Sequence, residues 1–252
     1  MENIKHLLRQ IEESKKVKIL FACETGSRAW GFPSPDSDFD IRFIYMHERD
    51  WYLSLSKKDD TIEFMDGDLD ITGWDLKKSL TLLKKSNAPL VERFQSPIEY
   101  YSVPGFRDEF KTLIGEYYSP TAVFFHHHSL AYKFWSDLKG KGLVKLKSYF
   151  YLLRSLLSCN WIMNNKAVLP MHMDALMQYI DNDLRVQLNQ LIEIKAGKDE
   201  SYLHLADASI NEWIDGMFSR MDIVKNDLGV NRNGMTMLNE FFLKQLYEKA
   251  ND

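Results

Sequence analysis

Residues 26–45 read GSRAWGFPSPDSDFDIRFIY. Just upstream, Val17-Lys18-Ile19-Leu20-Phe21-Ala22 is a short apolar run of the kind that forms a buried strand. A strand that meets Gly26-Ser27 can turn sharply into a helix. Glycine lacks a Cβ, so the backbone there can approach a phosphate closely. The serine hydroxyl and the first free N–H groups of a helix then point at the anion. The middle of the stretch, Gly31-Phe32-Pro33-Ser34-Pro35-Asp36-Ser37, is rich in turn formers and reads as a loop. Asp38 to Met46 alternates and is rich in β-formers, which predicts a second strand. Asp38 and Asp40 are two apart on it, so their carboxylates project from one face while Phe39 and Ile41 face the core. Neighbouring carboxylates repel one another and are tolerated when a cation lies between them. In phosphoryl-type transfer, two Mg²⁺ ions about 4 Å apart bridge the attacking and leaving oxygens. The spacing of Gly26-Ser27 and Asp38-Phe39-Asp40, ten residues apart, points to that chemistry.

Such a site calls for a third carboxylate on a neighbouring strand. Thr61–Met65 and Asp68–Gly73 are predicted strands, joined at the hairpin dipeptide Asp66-Gly67. Asp70 lies inside the second of them. Asp68 points to the same face but sits nearer the turn, so Asp70 is the better candidate. Towards the N-terminus, Ile4, Leu7, Leu8 and Ile11 recur at helical spacing. After Trp74, Asp75 reads as a helix N-cap with Leu76, Leu80 and Leu83 on one face. From there the chain reads as helix after helix. Breaks fall near Pro89, Ser96-Pro97, Pro104-Gly105, Ser119-Pro120, Gly140-Lys141-Gly142, Pro170 and Gly197, and an exposed turn at Asn231-Arg232-Asn233-Gly234. The expected fold class is α+β: a small mixed sheet domain in residues 1–115, then an all-helical domain in 116–252 that closes the cleft.

The cationic and imidazole groups each carry a structural reading beside a functional one. Arg28 is a surface residue or a phosphate contact. Arg42 lies on the face of Asp38 and Asp40 and either neutralises them or lines the cleft, the structural role being favoured. His126-His127-His128 resembles a metal cluster, but successive helical residues differ by about 100° and cannot share one face. A partly exposed helix is the simpler account. Lys147, Tyr151 and Arg154 follow i, i+4, i+7 spacing on a helix predicted from Leu143 to Met163. Arg154 sits among leucines and must pair with a carboxylate or a phosphate. Lys139, Lys141 and Lys145 form a basic loop, either solvated or a nucleic-acid backbone contact. Asp199-Glu200 reads as solvated surface.

The bulk numbers narrow the class. At 252 residues the chain can bury a sizeable core. Its formal charge of −4 lacks the basic excess of many nucleic-acid binders, so any such contact would be local. Cys23 and Cys159, the two cysteines, have no metal-ligand spacing, and the reducing cytoplasm is the expected compartment. No apolar leader or membrane-spanning run is expected.

Gly-Ser, a gap, then Asp-hydrophobic-Asp resembles the core motif of the DNA-polymerase-β nucleotidyltransferase superfamily. GSRAWGFPSPDSDFDIRFIY, WYLSL at 51–55, DITGWDLKKSL at 70–80, KSNAPLVERFQSPIEY at 85–100, KSYFYLLRSLLSCNWI at 147–162 and VLPM at 168–171 extend the likeness. Together they resemble a bacterial predicted nucleotidyltransferase family, an RNA-repair-pathway polymerase-β-like group. The resemblance implies transfer of a nucleoside monophosphate from an NTP to a hydroxyl acceptor, with Mg²⁺ or Mn²⁺ as cofactor. It carries Gly26 and Ser27 to triphosphate binding, Asp38 and Asp40 to metal binding and Asp70 to the third carboxylate. It also supports His128 facing the triphosphate, with Arg28, Lys147 and Arg154 as further candidate contacts. Family members often have Asn-Pro-Thr where this chain has Asn87-Ala88-Pro89, which shifts a helix start. The expected acceptor is an RNA or DNA end. A protein side chain or small molecule is the alternative, and a non-catalytic nucleotide sensor is a reading of another class.

Overall fold

The computed structural model describes residues 2–56, 58–224 and 233–248; Asn231 and Arg232 of the expected last turn lie outside them. The chain forms two compact units. One comprises the described parts of Met1–Gly26, Asp38–Tyr118 and Asn231–Asp252, the other those of Ser27–Ser37 and Ser119–Val230. The units interleave in sequence: the loop before Asp38 groups with the later helices, and the C-terminal helix groups with the sheet.

The first unit is built on a five-stranded mixed sheet. Its strands are β1 (Lys18–Glu24), β2 (Phe39–Met46), β3 (Thr61–Asp66), β4 (Leu69–Asp75) and β5 (Glu99–Ser102), in the order β3-β4-β2-β1-β5. β2 and β4 are parallel; the other neighbours are antiparallel. The β3–β4 turn holds Gly67 at φ 57°, a left-handed conformation that suits glycine. Helix α1 (Glu2–Lys15) lays Ile4, Leu8 and Ile11 into a core with Ile41, Phe43, Tyr45 and Ile71. Removing such side chains from water is the main force holding helix to sheet. Phe21 of β1 stacks on Phe94, and Phe94 on Phe110. Phe110 belongs to α6 (Phe106–Tyr117), and Phe241 of the C-terminal helix (Thr236–Glu248) packs beside it.

The cap expected from sequence at Asp75 is in place, and Asn87 supplies a second that the sequence reading did not name. Asp75 accepts a hydrogen bond from Lys77 N (2.8 Å) at the start of α4 (Leu76–Lys84). Asn87 accepts one from Leu90 N (3.0 Å) at the start of α5 (Ala88–Arg93), with Pro89 in the first turn. Each satisfies an N–H that the helix leaves without an internal partner.

The second unit centres on α7 (Pro120–Leu138) and α8 (Leu146–Asn164). Every residue from Leu152 to Ile162 is buried. A helix buried on all sides is one surrounded by other parts of its unit. α10 (Asn182–Ala196) and α11 (Ala208–Val224) complete the helical part.

Two features depart from the expectation of helices alone after Trp74. β5 is a four-residue strand whose Tyr100 is buried between exposed Glu99 and Tyr101, too short to show a period. Leu143–Lys145 (β6) pairs antiparallel with Leu203–Leu205 (β7), so α8 begins at Leu146, not at Leu143. Three-residue strands form where a distant partner supplies the ladder, and adjacent sequence does not record that. Among the described residues no helix is long and apolar enough to cross a membrane.

Candidate active site

The parallel pairing of β2 with β4 places Asp40 directly opposite Asp70. Adjacent strands lie about 4.8 Å apart, so two carboxylates on one face become close neighbours. Arg42, two residues along β2, projects from that same face. Its Nη2 donates to Asp40 Oδ1 (2.9 Å) and to Asp70 Oδ2 (2.8 Å). Its Nη1 donates to the Asp70 carbonyl (2.8 Å). Arg42 takes the structural role the sequence favoured, though the pair it bridges is Asp40 with Asp70, where the sequence reading had Asp38 with Asp40. All three side chains are partly exposed, at 17% for Arg42, 25% for Asp40 and 36% for Asp70, so the pair opens to solvent. Asp38 is exposed and lies one residue before β2. Asp68 falls in the turn, where its carbonyl accepts from Phe39 N (2.8 Å). Of the two alternatives, Asp70 is the one beside Asp40.

The glycine of the expected cradle abuts this pair. Gly26 has φ 62°, and a Cβ there would lie 1.8 Å from Asp40 Oδ2. Any other residue would displace the carboxylate as well as strain the backbone. α2 (Gly26–Trp30) starts at this point, and the Ser27 carbonyl accepts from Gly31 N and Phe32 N (both 3.1 Å). Arg28 Nη2 donates to the Ser37 carbonyl (2.7 Å).

The sequence reading missed Glu24 and Tyr100. The strand was expected to end at Ala22, but β1 runs on to Glu24, which is fully buried. Glu24 Oε1 accepts from Asp40 N (2.7 Å), and Tyr100 Oη donates to Glu24 Oε2. The signal available was an acid set directly against an apolar strand and ahead of Gly-Ser. Tyr100 carried no signal of its own.

Ser27, Arg28, His128, Lys147 and Arg154 belong to the second unit. There Lys147 Nζ pairs with Glu200 Oε2. Glu200 N donates to both Asp36 oxygens (3.0 and 3.1 Å), and Ser37 Oγ donates to Glu200 Oε1 (3.1 Å). Buried Lys195 donates to Ser34 Oγ (2.8 Å). Glu200 is therefore no solvated residue: it is a hub that fixes the loop before Asp38. Arg154 is buried, donates to the Met171 carbonyl (3.1 Å) and stacks 4.3 Å from the Trp30 ring centre. Trp30 also meets Tyr151 edge-on at 5.3 Å, so Tyr151 and Arg154 share a helix face.

The three histidines diverge. His127 is buried, while His126 and His128 are half-buried, and His128 lies 4.9 Å from the Tyr132 ring. Burial, then Arg154 and His126, hold His127 well below the usual imidazole range. Lys139 approaches Asp215 at 3.8 Å with both side chains mostly exposed, the solvated reading of the basic loop.

Asp40 and Asp70 offer hard carboxylate oxygens side by side, the donor type that magnesium takes. Within the sheet unit the two carboxylates share the Arg42 guanidinium. Among the described residues, no three acidic, histidine or cysteine side chains gather as a ready-made metal cage. The fit rests on the Asp40–Asp70 pair, with Asp38 two residues ahead of Asp40.

A model of the family RlaP, described as RNA repair pathway DNA polymerase beta family, matches residues 1–244. The chain is also similar to "Uncharacterized protein YcgL" of Bacillus subtilis (strain 168). The two are 37% identical over 249 residues, covering 97% of this chain and 96% of the other.

Proposed function

Because the chain belongs to the RNA repair pathway DNA polymerase β family, we propose that it moves a nucleoside monophosphate from an NTP to a hydroxyl acceptor. The acceptor oxygen forms a bond to the α-phosphorus, the bond from that phosphorus to the bridging oxygen of the β-phosphate breaks, and pyrophosphate leaves. The observation that carries this reading is the Asp40–Asp70 cross-strand pair with Gly26 backed against Asp40.

In this reading Asp38, Asp40 and Asp70 hold Mg²⁺ or Mn²⁺. The bound ion supplies Lewis-acid stabilisation of charge on the phosphate oxygens. Gly26 lets backbone and carboxylate sit close together. Ser27 and Arg28 hold the β- and γ-phosphates, and Asp70 orients the acceptor hydroxyl for in-line attack. Catalysis of this kind is mostly positioning and electrostatics.

The acceptor proposed first is an RNA end, in keeping with the family description. The net charge of −4 favours a second reading, transfer to a protein or small molecule. The test is incubation with each α-labelled NTP, Mg²⁺, and either total RNA or a protein lysate. Label should enter one fraction, and Asp40→Asn or Asp70→Asn should reduce incorporation at least about 100-fold, of the order seen when a key electrostatic group is removed. Turnover unchanged in both variants would end the proposal. NTP binding without transfer to any acceptor would favour a nucleotide sensor.

A further inference from the structure

Asp40 is gripped by three consecutive residues. Its N–H donates to Glu24 Oε1 (2.7 Å). Its carbonyl accepts from Thr25 N (2.9 Å) and Thr25 Oγ1 (3.2 Å). Its carboxylate lies against the bare Cα of Gly26. The register of β1 with β2 runs out at Glu24 opposite Ile41, so a side-chain oxygen meets the next N–H where the strand ladder ends.

Glu24 is itself tethered from the other side. Tyr100, on β5, donates to its second carboxylate oxygen. The Glu24 backbone is fixed too: its N–H donates to the Ile98 carbonyl (3.0 Å), and its carbonyl accepts from Ser96 Oγ (2.6 Å). A line of contacts therefore runs Tyr100, Glu24, Asp40, Arg42, Asp70 across four neighbouring strands. A carboxylate with no exposed surface is costly unless its oxygens are satisfied. Here both oxygens accept hydrogen bonds and neither reaches solvent, so Glu24 is not itself a ligand.

We infer that Glu24, anchored by Tyr100, is a positioning residue that sets the backbone of Asp40 and thereby aims its carboxylate at a divalent cation. The inference rests on the proposed metal-binding reading of Asp40. Its mechanism is hydrogen bonding, which separates it from a general effect of negative charge. Glutamine keeps the shape and can present its oxygen to Asp40 N and its NH₂ to Tyr100.

Mn²⁺ alone is titrated calorimetrically into the full chain and its variants, alongside their urea midpoints. Glu24→Gln should bind within about 3-fold of the wild type. Glu24→Ala should bind at least about 10-fold more weakly, the loss of one charge-assisted hydrogen bond. Tyr100→Phe, which frees only the outer anchor, should fall between. A folded Glu24→Ala protein that binds Mn²⁺ as the wild type does, with only its urea midpoint lowered, would make Glu24 merely structural and overturn the inference. If Glu24→Ala does not fold, Tyr100→Phe and Glu24→Gln decide. Wild-type affinity in Tyr100→Phe, or a Glu24→Gln protein as weak as Asp40→Asn, overturns it. Wild-type Mn²⁺ affinity in Asp40→Asn is a different failure, since it removes the cation reading itself.

Discussion

Arg42 shows how much of this site depends on a single side chain. One guanidinium nitrogen serves Asp40 and Asp70 together and bridges the two acids across the strands. Glutamine at this position keeps some hydrogen bonding but removes the charge. On the proposed reading, Arg42→Gln without metal leaves two adjacent carboxylates in mutual repulsion, costing about 2 kcal/mol. For a chain of this size that is a Tm fall of roughly 4–8 °C. Mn²⁺ should raise the variant's Tm more than the wild type's, because the guanidinium no longer competes for the two carboxylates and stabilisation grows as RT ln(1 + [L]/Kd). Thermal melts of both proteins in EDTA and in Mn²⁺ check this, and an equal Mn²⁺ response in the two would count against it. Asp40 and Asp70 were legible in the sequence because strand alternation assigns a face. A structural role for Arg42 was favoured, but its bridge to Asp70 was not legible, since the register of β2 against β4 is a tertiary choice. Glu24 was passed over for a plainer reason: an acid at the edge of an apolar run reads as the end of a strand, not as part of its buried interior.

Among the elements, α7 carries the clearest test. His127 is buried in its middle, with Nδ1 lacking a hydrogen-bond partner. Burial is the first cause holding the ring neutral, and the Arg154 charge adds to it. The folded protein therefore resists protonation that the unfolded chain accepts below a pH of about 6.5. Stability from this group is present above that pH and is lost as pH falls toward the folded value. The slope approaches about 1.4 kcal/mol per pH unit. His127→Leu removes both the titration and the unsatisfied nitrogen. Its urea midpoint should change little at pH 8 and fall less than the wild type between pH 6.5 and 5; parallel curves would refute the argument. Helices with a clear period or cap were readable, α1 and α4 among them. β5, β6 and β7 were not, because strands of three or four residues draw their identity from the partner they pair with.

At the scale of the whole molecule, each unit encloses one thiol: Cys23 in the sheet unit and Cys159 in the helical one. Burial pushes Cys23 up to about 12 and raises Cys159 as well. The phenols of Tyr45, Tyr52 and Tyr149 are raised too, with desolvation first among the causes. All five are acids kept neutral by the fold while the unfolded chain ionises them near pH 8.5 for thiols and about 10 for phenols. A raised folded value means the contribution is whole below the unfolded value and drains away as pH climbs past it. Urea midpoints should therefore hold steady from this source up to a pH of about 8.5 and drop progressively toward 10.5. The thiolate is the reactive form, and buried thiols in apolar surroundings are inert. A disulfide-exchange reagent at pH 8 should thus find neither thiol in the native chain and both in guanidinium. Because each cysteine reports on its own unit, early reaction of one, located by mass spectrometry, would show that its unit opens before the other. Stoichiometric labelling of either thiol in the native protein within seconds would contradict the packing described for that unit.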